Sequence, residues 1–383
     1  MKKIGVFHPL FGFGGGEAVC MNVLEALQST YDLTLVTMTE VDIETMNEYY
    51  DTAVDPDLSV EPGKAVRKTF RGSQRALDRL TGAACGRLHV GLFTRFVTQH
   101  TDQFDLLVST FGEYDFGVQS VQYIHLPMYN RHLFPPALKP GKMQQIYDKL
   151  CDITAGKPDR PDGTLIANSD WTAQITERLY GVQPETVYPP IAVDGFAEST
   201  WSGRENGFVT IGRVDRTKRI EDMIAIIQGV RDRGHDVHLH VIGPETDEAY
   251  SRSLRRQCGD DREIVFEGRL DRSRLIELIE SHKFGLHAKR YEHFGMAVAE
   301  LVAGGTIPFV HDSGGQREIV NRDDRLVYDS VAQAIEQIDW LLERPPEQRD
   351  ARAGLPEVAA QYGTDRFQKA TRAVIERTLG STA

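Results

Sequence analysis

Two glutamates eight positions apart, Glu292 and Glu300, bracket a Phe294-Gly295 turn and the apolar run Met296-Ala297-Val298-Ala299. The segment Phe284 to Ala288 reads as a short buried strand, and the residues after Gly295 have helical spacing up to Gly304-Gly305. A glycine turn between strand and helix leaves the first N–H groups of the helix unpaired and pointing outward, a ready site for a phosphate or diphosphate. A carboxylate before the turn and another a few turns along can accept hydrogen bonds from hydroxyls at either end of a ligand. A sugar nucleotide has that layout. Two cations add to it: Arg213 just after a strand, and Lys218 at the start of the next helix. A departing diphosphate develops negative charge, and fixed cations aimed at it stabilise that transition state without a metal. Arginine gives planar, multidentate phosphate contacts, and lysine a compact charge.

A second candidate segment lies near the N-terminus. In HPLFGFGGGEAVCMNVLEAL, Gly12, Gly14, Gly15 and Gly16 stand between a strand and a helix, with Glu17 in the helix's first turn. Such a loop lets backbone approach a ligand closely. It is not the dinucleotide fingerprint, because G-x-G-x-x-G counted from Gly12 needs glycine where Glu17 stands. His125, in QYIHLPMYN, follows another strand, where a histidine is either packed or ligand-facing.

The string EHFGMAVAE, followed by AGGTIPFVHDSGG, resembles the donor site of family 4 retaining glycosyltransferases of the GT-B fold. The resemblance implies that Glu292 holds the transferred sugar, that the backbone of Phe294, Gly295 and Met296 holds the diphosphate, and that Glu300 holds the ribose. The Gly-Arg-x4-Lys of IGRVDRTKRIEDMI is similar to the family's leaving-group pair, which would be Arg213 and Lys218. HP…GGGE resembles the first loop of one subgroup, the mannosyltransferases that add α-1,2-mannose to dolichol-linked oligosaccharide. That likeness implies that Gly15 and Gly16 face the donor phosphates and the acceptor, and that His125 lines the site near the transferred sugar. Tyr123, Tyr129 and Asn130 would then belong to the acceptor side. FEGRL, residues 266–270, resembles the loop that carries the nucleotide base, assigned here to Arg269 and Leu270. Asp55-Pro56-Asp57 matches the Asp-x-Asp metal signature of the other major glycosyltransferase fold, but its surroundings lack that fold's order of elements, and it reads as a loop.

These likenesses imply retaining transfer of a hexose, mannose from GDP-mannose, to a lipid-linked saccharide. Two alternatives share the motifs: a UDP-sugar-dependent enzyme of polysaccharide or glycoconjugate synthesis, and a non-catalytic sugar-nucleotide-binding subunit. Unlike the eukaryotic subgroup, the sequence shows no N-terminal transmembrane helix.

The positioning elements alternate between strand and helix almost throughout. Strands are expected at Ile4 to His8, Leu33 to Met38, Phe104 to Ser109, Val121 to His125 and Thr164 to Ala167. After the polar stretch Ile191 to Asn206 the series restarts, with strands at Phe208 to Gly212, Val237 to Ile242, Ile264 to Phe266, Gly285 to His287 and Ile307 to His311. Ser169 is placed to cap the helix that Gly181 ends. Such alternation implies parallel sheets covered by helices on both faces. The expected fold is α/β: two doubly wound Rossmann-like domains facing across a cleft, with ligands at the carboxyl ends of the strands. The expected division is an acceptor-side domain over 1–192, a linker over 193–206, a nucleotide-sugar domain over 207–365, and a C-terminal helix over 366–383 crossing back to the first domain.

At 383 residues the chain is long enough for two to three domains. Its net charge of −12 argues against generic nucleic-acid binding. No apolar run approaches the roughly 18 residues of a membrane span. Cys20, Cys85, Cys151 and Cys258 are scattered, which fits a reducing, cytoplasmic setting. No His/Cys/carboxylate group has metal-ligand spacing, so metal-independent chemistry without a cofactor beyond the nucleotide sugar is expected.

In this acidic chain, the segment from Lys64 to Arg95 carries eight basic residues and one acid, Asp78. Phe70, Leu77, Leu80, Ala84 and Leu88 recur at helical spacing beside a basic row of Arg71, Arg75 and Arg79. Two placements fit: a helix lying on an anionic membrane surface, or a core-facing helix with a solvated basic side. The first makes the protein peripheral on the cytoplasmic face of a membrane.

Overall fold

In a computed structural model of the chain, residues 1–81, 86–131, 134, 138–139, 141–155, 161, 163–197 and 200–380 are described. They divide into two units, one formed by Met1–Pro190 together with the residues from Thr364 onward, the other by Ile191–Gly363.

Among the described residues, the first unit holds a seven-stranded parallel sheet of order β3-β2-β1-β4-β5-β6-β7. Its strands are β1 (Lys3–Phe7), β2 (Asp32–Val36), β3 (Ser59–Glu61), β4 (Leu106–Ser109), β5 (Ser120–Ile124), β6 (Thr164–Ala167) and β7 (Glu185–Thr186). Helices cover both faces, and β4 and β5 are buried at every position, their polar Ser109, Ser120 and Gln122 included. Ser169 accepts a hydrogen bond from Thr172 N at 3.1 Å, and Gly181 ends that helix in the left-handed conformation, φ 65°. The helix Thr364–Gly380 belongs to this unit, where Phe367, Val374 and Ile375 share a core with Val19, Val23 and Leu27 of the helix Gly15–Leu27.

The second unit has a six-stranded parallel sheet of order β10-β9-β8-β11-β12-β13. Its strands are β8 (Glu205–Ile211), β9 (Leu239–Ile242), β10 (Ile264–Gly268), β11 (His282–His287), β12 (Ile307–His311) and β13 (Val327–Tyr328). Residues 193–206, expected to be a linker, lie inside this unit. Arg204 is buried, and its guanidinium donates to His282 O at 3.1 Å and Gly304 O at 2.6 Å, while Phe196 packs on the cluster of Leu278, Ile279 and Leu301. The boundaries therefore fall at Pro190/Ile191 and Gly363/Thr364. Polar composition at 193–206 hid the apolar anchors Phe196 and Trp201, the latter against the Phe284 ring, and the arginine that bonds the carbonyls of Ile279, His282 and Gly304.

In both sheets the first strand of the series is flanked by the second on one side and the fourth on the other. That reversal opens a crevice at the carboxyl ends of the strands, where doubly wound folds bind ligands. The loops after β1 and β4 border it in the first unit, and those after β8 and β11 in the second.

Candidate active site

In the second unit, β11 ends at His287 and the chain turns through Lys289 and Tyr291 to Glu292. The Glu292 carboxylate is nearly buried and is surrounded by cations. Lys289 Nζ lies 2.8 Å from Oε1, Lys218 Nζ 3.2 Å from Oε2, and His287 Nε2 3.4 Å from Oε2; His293 N donates to Oε1 at 3.2 Å. Burial alone would raise the carboxyl, but Lys218, His287 and Lys289 together hold it well below the usual carboxylate range. Burial likewise lowers the Lys218 ammonium, against the opposing pull of Glu292. Burial lowers His287 to about 4, so the ring is neutral at physiological pH.

The loop carrying Glu292 is propped by the segment after β12. Gly315 N donates to Glu292 O at 2.8 Å, and Tyr291 N to Ser313 Oγ at 2.9 Å. Gly314 has φ 81°, and a Cβ there would stand 2.2 Å from Glu292 O. The buried Gln316 ties the two loops, donating through Nε2 to Lys289 O at 2.9 Å, His311 O at 2.8 Å and Ser313 O at 3.1 Å. Gly295, at φ 113°, then turns the chain into the helix Met296–Ala303, whose N-terminus makes no side-chain cap. A Cβ on Gly295 would press on Gln316 and Ile319 at 3.2 Å, so this turn also depends on a missing side chain.

Lys218 reaches Glu292 from the loop after β8. Asp215 accepts from Thr217 N at 2.9 Å and starts the short 3-10 turn Arg216–Lys218. The Lys218 stem runs past Gly212, where a Cβ would meet Cε at 2.9 Å. Arg213 is exposed and paired with Asp215 at 3.3 Å. Of the two expected cations, Lys218 alone touches Glu292. On the helix Met296–Ala303, Glu300 Oε1 accepts from Arg272 Nη1 at 2.8 Å, and Arg272 also donates to Ala192 O at 2.7 Å and covers the Phe196 ring. Burial pushes the Glu300 carboxyl up, and Arg272 opposes it. Arg269 and Leu270 follow the Gly268 turn (φ 69°) after β10; Arg269 is exposed and Leu270 packs against the Leu278 cluster.

In the first unit, Gly15 and Gly16 open the helix Gly15–Leu27. A Cβ on Gly16 would lie 3.6 Å from His125 Nε2 and 3.8 Å from His8 Cε1, so the glycine loop, His8 and His125 meet. His125 Nε2 donates to Thr110 O at 3.0 Å, and His8 Nδ1 pairs with Thr110 Oγ1 at 2.9 Å. Burial lowers both rings, His8 to about 3, so both are neutral. Glu17 folds back to accept from Gly12 N at 2.8 Å, and Tyr50 holds Gly14 through both its N–H and its carbonyl.

Residues 195–354 match the family described as glycosyl transferases group 1. A Dictyostelium discoideum protein named GDP-Man:Man(3)GlcNAc(2)-PP-Dol alpha-1,2-mannosyltransferase is 22% identical over 378 residues, covering 84% of this chain and 74% of its own. The protein of that name from Candida glabrata is 26% identical over 359 residues, covering 82% and 70%. Residues 195–354 carry that family's domain, and the chain is a glycosyltransferase. Its fold matches solved glycosyltransferases of the GT-B type: Anabaena HepE in complex with UDP, with a TM-score of 0.70, 12% identity and 98% and 100% coverage, and WaaG of lipopolysaccharide biosynthesis, with 0.69, 14%, 97% and 99%.

Within this glycosyltransferase several contacts were not legible as sequence signals. Lys289 and His287 join the Glu292 cluster, Gln316 braces it, Arg272 pairs with Glu300, and His8 joins His125. Lys289 lies three residues before Glu292, Gln316 directly follows the quoted AGGTIPFVHDSGG string and His8 heads the quoted HPLFGFGGGEAVCMNVLEAL string, so these three were within view of the motifs; Arg272 arrives from the helix Arg272–Ser281. Two expectations need correcting. Tyr123, expected on the acceptor side, is buried, with its hydroxyl donating to Val187 O at 2.8 Å and its ring against Phe367. The second concerns metal ligands: no cluster was expected, yet the described residues bring together His238, His240 and His282.

Gly314→Ala places a side chain in left-handed backbone against Glu292 O, at a cost of about 1–3 kcal/mol. Calorimetry should show a lower melting temperature for the variant and weaker nucleotide binding. Gly354→Ala, where the backbone is helical and the nearest atoms stand at 3.5 Å, should change neither.

His287 supplies a pH signature. The folded ring takes a proton only near pH 4, whereas the unfolded chain takes one near 6.5. In that window the unfolded state binds more protons, so stability falls as pH drops from 6.5 towards 4, by up to about 3 kcal/mol for this ring. Melts of His287→Gln between those limits should decline less steeply than wild type. Parallel decline in the two proteins would refute the assignment.

Proposed function

We propose that this glycosyltransferase transfers mannose from GDP-mannose to a polyprenyl- or dolichyl-linked saccharide, with retention at the anomeric carbon. The observation that carries the reading is Glu292, ionised and gripped by Lys218 at 3.2 Å and Lys289 at 2.8 Å, immediately before the Gly295 turn. Without donor, Lys218 neutralises Glu292. A diphosphate arriving at the Phe294-Gly295-Met296 backbone competes for Lys218, releasing a carboxylate oxygen to accept a sugar hydroxyl. As the glycosidic bond breaks, Lys218 and Arg213 stabilise the charge gathering on the leaving diphosphate. Arg272 takes Glu300 Oε1, and the ribose is assigned to Oε2. His125 and the Gly15-Gly16 backbone are assigned to the sugar and acceptor side. The names of the Dictyostelium and Candida relatives support the mannose donor and the lipid-linked acceptor.

Thermal stabilisation by GDP, UDP and ADP, each with and without its sugar, tests the donor. A ligand at a hundred times its dissociation constant adds roughly 2.7 kcal/mol. GDP and GDP-mannose should shift the melt most; preference for UDP would retain the site and discard mannose. Lys218→Ala and Glu292→Ala should each lose transfer by about 10²-fold or more, and full transfer by either variant would remove that residue from the reaction.

We further propose peripheral attachment to an anionic membrane on its cytoplasmic face. No helix among the described residues is long and apolar enough to cross a membrane. The basic row expected over 64–95 lies on the helix Lys64–Thr81, with Arg75 and Arg79 exposed and Arg71 half-buried. Its apolar side is otherwise engaged: Phe70 packs on Phe93 and Phe96 of the helix Gly86–Val97, and residues 82–85 and the Leu80 side chain lie outside the described residues. A better apolar contact comes from the helix Lys142–Ala155, where Met143, Ile146, Leu150 and Ile153 form an exposed stripe. Arg87 binds that helix to Gly86–Val97 through Asp148 and Asp152 at 2.5 and 2.7 Å. Flotation with anionic vesicles should be lost on charge reversal at Arg71, Arg75 and Arg79 and on Ile146→Asp with Ile153→Asp; unchanged flotation in both variants would sink the attachment.

A further inference from the structure

Three histidines converge in the second unit at the amino ends of its strands, whereas Glu292 and Lys218 belong to loops at the carboxyl ends. His238 directly precedes β9, His240 lies within it, and His282 begins β11. Their ligand-capable nitrogens all lie within 4.8 Å of one another. The strand between them is β8, and its Gly207 makes the convergence possible. A Cβ there would stand 2.2 Å from His238 Nε2 and 2.5 Å from His282 Cδ2.

The hydrogen bonds behind the rings orient them as metal ligands. His282 Nδ1 lies 2.6 Å from Leu278 O, a carbonyl that only accepts, so the proton sits on Nδ1 and Nε2 carries the lone pair. His240 Nδ1 lies 2.6 Å from Glu267 Oε1, an acceptor again, which leaves Nε2 as its lone-pair nitrogen. A carboxylate or carbonyl behind each ligating imidazole is the usual second layer of a metal site. His238 Nε2 is 2.9 Å from His282 Nε2, close to the ~3.3 Å separation that Zn–N bonds of 2.0–2.1 Å require in a tetrahedron. Glu205, first in β8, brings Oε2 to 3.6 Å from His238 Nε2.

We propose that His238, His240 and His282 bind a zinc-class divalent ion, with Glu205 as fourth ligand, which clamps β9, β8 and β11 together. His238 donates to His282 when no ion is bound. Ligation moves that proton to His238 Nδ1, a change of tautomer without net proton loss. The clamp is independent of the donor chemistry, whose residues are all elsewhere.

The full chain, stripped with chelator and dialysed, is titrated with Zn2+ and Co2+. The clamp predicts saturable uptake of one ion per chain, the visible absorption of four-coordinate Co2+, and a higher melting temperature with Zn2+ but not with Mg2+. The His238→Ala, His240→Ala double variant should lose all three, with far-ultraviolet circular dichroism verifying its fold. Glu267→Gln keeps every ligand and should weaken uptake by about 10–100-fold. Absence of saturable uptake by the wild-type chain overturns the site, as does equal uptake by a folded double variant.

Discussion

A carboxylate shut away from water beside two ammonium groups and an imidazole is the interaction around which the donor loop is organised. Desolvation of Glu292 opposes its charge, and the nearby Lys218 and Lys289 more than offset this. Remove the cations and the carboxylate is an unpaired buried charge; remove the carboxylate and two lysines repel each other in the same place. An arrangement held by mutual neutralisation is stable until another anion competes for the cations. That makes the cluster both a structural joint between the loops after β8 and β11 and a place where a diphosphate can enter.

Close backbone approach is what lets the charges meet. Gly212 leaves room for the Lys218 stem, Gly314 for the Glu292 carbonyl, and Gly295 for Gln316 and the turn into the helix Met296–Ala303. Each position lacks a side chain for a stated steric reason, and each lies in a loop that follows the carboxyl end of a strand. The first unit repeats the device on neutral groups: Gly16 leaves space for His125 and His8, and Thr110 bonds both rings. One unit thus presents balanced charge and the other uncharged hydrogen-bonding groups, on sheets of the same strand order.

The opposite ends of the strands follow different physics. There Arg204 satisfies carbonyls at the starts and ends of neighbouring elements, and Gly207 opens space for three imidazoles. Arg204 reaches the far end of the helix Met296–Ala303 through Gly304 O, while the three imidazoles stand apart from Glu292 and Lys218, which fits a stabilising role.

The sequence by itself determined the α/β class, the two strand series and the motif residues of the donor loop. Buried parallel strands demand continuous apolar runs, and tight turns demand glycine, so both leave local marks. β6 and β12 were read to their full extent. β3, β7 and β13 were missed, being two or three residues long and too short to show a pattern. Local signals could not show that Ile191–Arg204 folds into the second unit, that Tyr123 is core, or that Phe70 faces the helix Gly86–Val97. They also gave no hint that His282 joins His238 across 44 residues of sequence, or that Lys218 meets Glu292 across 74. Those pairings are set by strand order, because parallel strands adjacent in space are distant in the chain. The residue types that can do chemistry were therefore visible in one dimension, while their partners, their burial and hence their charge states were decided by the tertiary structure.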